Sequence, residues 1–293
     1  MAQFSYGGQA VIEGVVIRGV RTIGLAVRRP SGAIYRYREP INSPLQRWRW
    51  ARLPFIRGVI VLWESLSIGV RMLMRSANVA LEDEPVKLEG GSAAGFVVTT
   101  VAIALAIFVG VPYVATQAIR GVVPDPQVQN ILEGALRMAL FLGYVSAISF
   151  LPDVRRVFAY HGAEHMTIHA FEHGDPLQPT AIEKYPTAHP RCGTAFLLLV
   201  VVVSIIAFAF LERANPFVAL LERLVLVIPV AAVSYEVLRI GARYERSPFM
   251  RILVWPGLVL QRITTRQPTR PMIEVAIASL EEALAGDGEK RVA

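Results

Sequence analysis

The sequence predicts a mainly α-helical membrane protein, with about four transmembrane helices and a small cytoplasmic α+β portion formed by both termini. Three observations predict it. Apolar residues make up 54% of the 293-residue chain and its mean hydropathy is +0.45, above the roughly 45–50% apolar usage of soluble domains. Residues 90–119 and 192–211 run for 30 and 20 positions without a charge, and about 20 apolar residues suffice to cross the hydrocarbon core. Finally, the basic residues are distributed very unevenly along the chain.

The first fifty residues contain no apolar core of the length a signal peptide needs. They read instead as a β-rich unit, residues 1–52. "GGQAVIEGVVIRG" is glycine-punctuated and β-branched, which suits strands with tight turns. "TIGLAVRRPSGAIYRYRE" alternates at Ile23, Leu25 and Val27, turns at Pro-Ser-Gly and resumes at Ile34, so it reads as a hairpin. Residues 53–75 have helical periodicity. Arg57, Glu64, Arg71 and Arg75 fall on one side and apolar residues on the others, so this helix lies on the membrane or against the bundle. It and a linker occupy 53–89.

The bundle extends over 90–240. Its two strong spans are the uncharged windows. Two weaker ones are 138–152, which extends back to Ile131 with Glu133 and Arg137 near the membrane surface, and 224–235, flanked by Arg223 and Glu236. Four spans would place residues 1–93, 153–191 and 236 onward on one side. These carry 13, 4 and 9 Lys plus Arg, against 2 in each of the loops 120–137 and 212–223. The 26 to 4 division puts both termini and the 153–191 loop in the cytoplasm. The net charge of +7 is therefore mostly topology, with affinity for anionic lipid or RNA secondary and no specific nucleic-acid motif present. The tail 241–293 ends in an amphipathic helix from about Pro271 to Gly286.

The loop 153–191 carries the chemistry. His161, His165, His169 and His173 are spaced by four in "YHGAEHMTIHAFEHGD", and the fifth histidine, His189, precedes the sole cysteine in "HPRCGT". One cysteine excludes an intramolecular disulfide. On a helix stopping at Gly174 the four histidines form a slowly turning stripe. An i, i+4 pair can hold one metal ion. "HGAEH" also matches the H-x-x-E-H pattern of inverzincin hydrolases, where both histidines bind zinc and the glutamate activates water. His161 and His165 are thus candidate ligands and Glu164 the candidate general base. A zinc site needs a third ligand. His189 and Cys192 are the nearest candidates, with Glu172 and Glu236 as others; His169 and His173 are weaker. The alternative is a hydrogen-bonded polar helix at the membrane surface.

Taken together, "GGQAVIEGVVIRG", "RGVIVLWESLSIG", "YHGAEHMTIHAFE", "HPRCGTAFL" and "LQRITTRQPTRPMIEVAIASL" resemble the YqhQ-like family of bacterial membrane proteins over nearly the whole chain. The chain departs from that pattern at Met166, where a lysine is expected, and at Gln267, where a glutamate is expected. The resemblance implies a metal-dependent enzyme of the bacterial inner membrane. It also implies a connection to the ribosome or the membrane-insertion machinery, because relatives are encoded near translation genes. It highlights Gln9 and Glu13 as polar residues that could project toward the histidines, against the alternative that Glu13 is a salt-bridge partner. The expected function is a membrane-bound, zinc-dependent hydrolase. The alternative is a non-enzymatic assembly or ribosome-associated factor with a structural metal site.

Overall fold

Four short strands form an antiparallel meander in chain order: β1 (Gly7–Val11), β2 (Gly14–Arg18), β3 (Thr22–Arg28) and β4 (Ile34–Pro40). Gln9, Val16, Leu25 and Tyr37 share one row across the sheet. The structure, a computed structural model, describes residues 6–81, 90–212, 215–244 and 247–288. The chain ends expected in the cytoplasm, 1–5 and 289–293, and most of the 53–89 linker, 82–89, lie outside the described residues.

The sheet is covered on both faces, which is why β2 and β3 are almost continuously apolar. After the short α1 (Pro44–Arg47), helix α2 (Ile56–Ala80) covers one face, with Ile68 and Met72 packed on Val16, Ile23, Leu25 and Val27. The other face, which carries Val15, Ile17 and Ala26, receives two helices from distant parts of the chain, described below.

The apolar segments form helices. The first is α3 (Gly90–Leu105), a π turn at Ala106–Gly110 and α4 (Val111–Ala118) in sequence. It is followed by α5 (Pro126–Ile148), α6 (Pro152–His173), the single turn α7 (Pro179–Ile182), α8 (Thr194–Ala209), α9 (Pro216–Arg243), α10 (Pro248–Thr264) and α11 (Arg270–Asp287). Three helices among the described residues are long and apolar enough to cross a membrane: Val97–Ala118, Pro126–Ile148 and Pro216–Gly241. The uncharged window 192–211 yields only the 16 residues of α8, about 24 Å at 1.5 Å per residue. The two spans that looked weak in sequence are the longer ones.

They are longer because their charges are paired inside the bundle. Glu133, Arg137 and Arg223 are all but inaccessible within the bundle. Glu133 accepts from Arg137 at 2.7 Å and from Arg223 Nε at 2.9 Å, and Arg223 also donates to Asn130 at 3.0 Å. Arg137 donates to the Phe108 carbonyl in the π turn at 2.8 Å. A buried charge is tolerable only when paired and hydrogen-bonded in this way. Asn130 reaches the Ala209 and Leu211 carbonyls, and Tyr113 the Pro216 carbonyl. Four helix ends therefore meet at this end of the bundle.

The tail divides. α10 belongs with the bundle, where Leu260 packs on Phe141, Val145 and Val201. α11 returns to the sheet beside α6, forming its second covered face. A Cβ on Gly24 would come within 2.2 Å of the Ser279 carbonyl, so a glycine in β3 lets α11 lie directly on the strand. The 153–191 loop is thus largely helix α6, and α6 is a core element of the α+β unit.

Candidate metal centre

α6 begins at Pro152, with Asp153 in its first turn, and ends at Gly174 in the left-handed conformation, φ 74°. Residues 159–168 are buried throughout. One face meets the sheet and α11; His161 and His165 meet the end of α10 and the segment 187–192, and Glu164 reaches β1. At Gly162 a Cβ would stand 2.2 Å from the Arg266 carbonyl, and the Arg266 N–H donates to the Phe158 carbonyl at 2.9 Å. A side chain at 162 would push residues 264–266 off the helix.

This packing sets the orientation of both imidazoles. His161 Nδ1 donates to the Thr264 carbonyl at 2.8 Å, and His165 Nδ1 to the Thr187 carbonyl at 2.6 Å. Carbonyls only accept, so when such a ring is neutral its lone pair is on Nε2. His161 Nε2 lies 3.2 Å from Cys192 Sγ. The ligand atoms of His161, His165 and Cys192 all lie within 4.8 Å of one another. Two imidazoles oriented by carbonyls and one thiol are a donor set suited to zinc.

Glu164 sits against this group. Its Oε1 accepts the Gly8 N–H from β1 at 2.9 Å. Its Oε2 lies 3.7 Å from His165 Nε2 and has no hydrogen-bond partner among the described residues. Burial pushes the Glu164 carboxyl above its ordinary range, partly offset by His161 and the Gly8 N–H. Burial, then the neighbouring His161, holds His165 well below the usual imidazole range, so the 3.7 Å approach is not an ion pair. Burial, reinforced by the Glu164 charge, raises the Cys192 thiol to about 11. All four side chains are at most 9% exposed.

His189 joins a different group. Its ring nitrogen clusters with a ring nitrogen of His169 and a carboxylate oxygen of Glu172, within 4.8 Å. His189 Nε2 approaches Glu172 Oε2 at 3.4 Å, its Nδ1 accepts the Arg191 N–H at 3.3 Å, and Arg191 forms an ion pair with the other Glu172 oxygen. Burial opposes it, but His189 and Arg191 hold the Glu172 carboxyl below its ordinary range. His169 Nε2 donates to the Ala188 carbonyl at 2.9 Å. The expected set of His161, His165, His189 and Cys192 is therefore divided between two neighbouring groups, with Cys192 beside His161 and His189 beside Glu172.

The remaining candidates lie elsewhere. Gln9 faces α2, where its side chain abuts Gly69, on the sheet face opposite α6. Glu13 occupies the β1–β2 turn with φ 52° and pairs with Arg156, while Tyr160 donates to it at 3.2 Å. Glu236 pairs with Arg57. His173 is exposed, and its Nδ1 donates to the His169 carbonyl at 2.7 Å. Sequence reasoning missed Gln261, which grips the His189 backbone by accepting its N–H at 2.7 Å and donating to its carbonyl at 3.0 Å. It also missed Thr187 and Thr264, whose contributions are carbonyls and have no residue-type signal.

A family model described as "Protein of unknown function (DUF1385)" matches residues 53–286. The chain is 29% identical to the "Uncharacterized protein YqhQ" of Bacillus subtilis (strain 168), over 96% of this chain and 92% of that protein. No solved structure matches the chain. With the family match spanning most of the bundle, the histidine helix and the returning C-terminal helix, the chain belongs to the DUF1385 family of proteins of unknown function.

Proposed function

We propose that this protein is a membrane-bound, metal-dependent hydrolase of the bacterial inner membrane, with its site at the cytoplasmic face. One observation carries the reading: the buried Glu164 Oε2, without a hydrogen-bond partner among the described residues, lies 3.7 Å from His165 Nε2, and His165 groups with His161 and Cys192. Three protein ligands leave a fourth zinc position open, as in catalytic sites. When bound, the metal supplies Lewis acidity that brings the pKa of a coordinated water to about 7. Glu164 Oε2 then accepts a proton, and its raised affinity for one suits a general base. The Gly8 N–H on Oε1 leaves Oε2 as the basic atom.

The topology belongs to the same proposal. Four crossings, with α8 as the short third one, place the sheet, α6, α11 and both termini in the cytoplasm. The 26 to 4 division of basic residues supports this orientation.

One observation favours a second reading. The four groups are almost fully buried, and a fourth ligand from Glu164 would close the site. A closed site is structural, and the protein would then be an assembly or ribosome-associated factor in which metal staples α6 to α8. Metal analysis of purified protein, with activity or complementation of a deletion strain by the Glu164→Gln variant, separates the two.

A further inference from the structure

Helix α2 is amphipathic with its faces reversed. Its polar stripe is partnered by the rest of the chain: Arg57 pairs with Glu236 of α9, the buried Glu64 with Arg18 of β2, the exposed Arg71 with Glu39 of β4, and the Arg75 guanidinium lies 3.7 Å above the Tyr37 ring. Ile56, Val59, Trp63, Leu66 and Leu73 point outward and are exposed, Trp63 at 71%. At 100° per residue these five fall within about 100° of one another, on the side away from the charges. In water the arrangement of a surface helix is the opposite. The segment leading into α2 continues the apolar face. Trp48 and Trp50 stack at 5.5 Å, and both are about half exposed, as are Leu53 and Phe55. Arg47, Arg49 and Arg52 are interleaved with them, with no acidic residue from 44 to 56.

The level of this face along the bundle is set by α9. Glu236 accepts the Phe55 N–H at 3.2 Å and pairs with Arg57. It lies 20 residues beyond Pro216, about 30 Å along the helix, which is the thickness of the hydrocarbon core. The tryptophans are thus held where a membrane-crossing α9 would leave the hydrocarbon, the depth at which tryptophan and arginine are favoured together.

We infer that residues 47–73 form an interfacial anchor that seats the α+β unit on an anionic phospholipid surface. Apolar side chains enter the acyl boundary, and Arg47 and Arg49 meet lipid phosphates. The inference rests on α9 crossing the membrane, as in the proposed topology, and not on the metal or the hydrolase reading.

The test uses the full chain in proteoliposomes of phosphatidylcholine and phosphatidylglycerol. Of its four tryptophans, Trp255 is removed as Trp255→Phe, leaving Trp48, Trp50 and Trp63 as reporters. The expected result is strong quenching by lipids brominated near the carbonyl end of the acyl chain and little quenching by aqueous iodide. Quenching by iodide instead would mean a solvated face and overturn the inference. Protection from both quenchers would mean that a protein, including a second copy of this chain, covers the face, and would also overturn it. In a second arm, selectivity for spin-labelled phosphatidylglycerol over phosphatidylcholine is compared between the parent and Arg47→Gln/Arg49→Gln. An arginine at an anionic surface contributes about 1 kcal/mol, a roughly fivefold preference, so selectivity should fall by several-fold. Unchanged selectivity would remove the anionic-lipid assignment.

Discussion

His161 Nε2 lies 3.2 Å from Cys192 Sγ, across 31 residues of chain. This contact joins the helix at the centre of the α+β unit to the residue two positions before α8 of the bundle. The proposed metal would bind at that junction, so ligand loss should be felt in both parts.

His161→Ala, His165→Ala and Cys192→Ala should each reduce bound zinc to near background, since one of three protein ligands is lost. His189→Ala should leave this metal bound, because His189 belongs with His169 and Glu172. Elemental analysis of purified variants checks both. Full metal retention in the first three would remove the site, and loss in His189→Ala would mean that the two groups act as one centre.

Glu164→Gln separates base from ligand. As a base, its loss should cost about 10²–10⁴-fold in rate with metal retained. As a ligand or an orienting partner, it should lower zinc affinity by roughly 10–100-fold. Normal metal affinity together with full complementation would contradict the hydrolase reading.

Gln261→Ala should loosen the segment carrying Thr187, His189 and Cys192. The His189 N–H and carbonyl lose their side-chain partner, and a buried unsatisfied group costs about 1–3 kcal/mol. A lowered unfolding midpoint in detergent with weakened zinc affinity is expected. An unchanged affinity would show that the ligand positions do not depend on this clamp.

Glu133→Ala should destabilise the bundle by about 3–5 kcal/mol, because Arg137 and Arg223 stay buried without their carboxylate. Arg156→Ala, which removes the ion pair of the partly exposed Glu13, should cost under about 1 kcal/mol. Thermal unfolding of the two in the same detergent compares them. Similar midpoints would mean that the buried network is not a stability determinant.

A reporter fused at residue 175, just past α6, should be cytoplasmic if the proposed four-span orientation holds. An external signal would overturn that topology and the reducing environment it gives Cys192.

Most of the architecture follows from local pattern. Uncharged runs mark the bundle, and β-branched alternation with a Pro-Ser-Gly turn marks the β3–β4 hairpin. The spacing of four histidines before Gly174 marks α6 as a helix that presents His161 and His165 together. Each of these depends on neighbours a few residues away, so the sequence alone determines it. Tertiary structure decided the rest. Whether His189 or Cys192 faces His161 depends on the path of the main chain through 187–192, which Gln261, 72 residues later, holds by two hydrogen bonds. Glu133, Arg137 and Arg223 read as flanking charges until α5 and α9 pack and neutralise them, which is how the weaker runs became the longer helices. The charged stripe of α2 was legible as a stripe. Its inward direction was settled only by partners on β2, β4 and α9, because helical periodicity identifies a face without saying what that face meets.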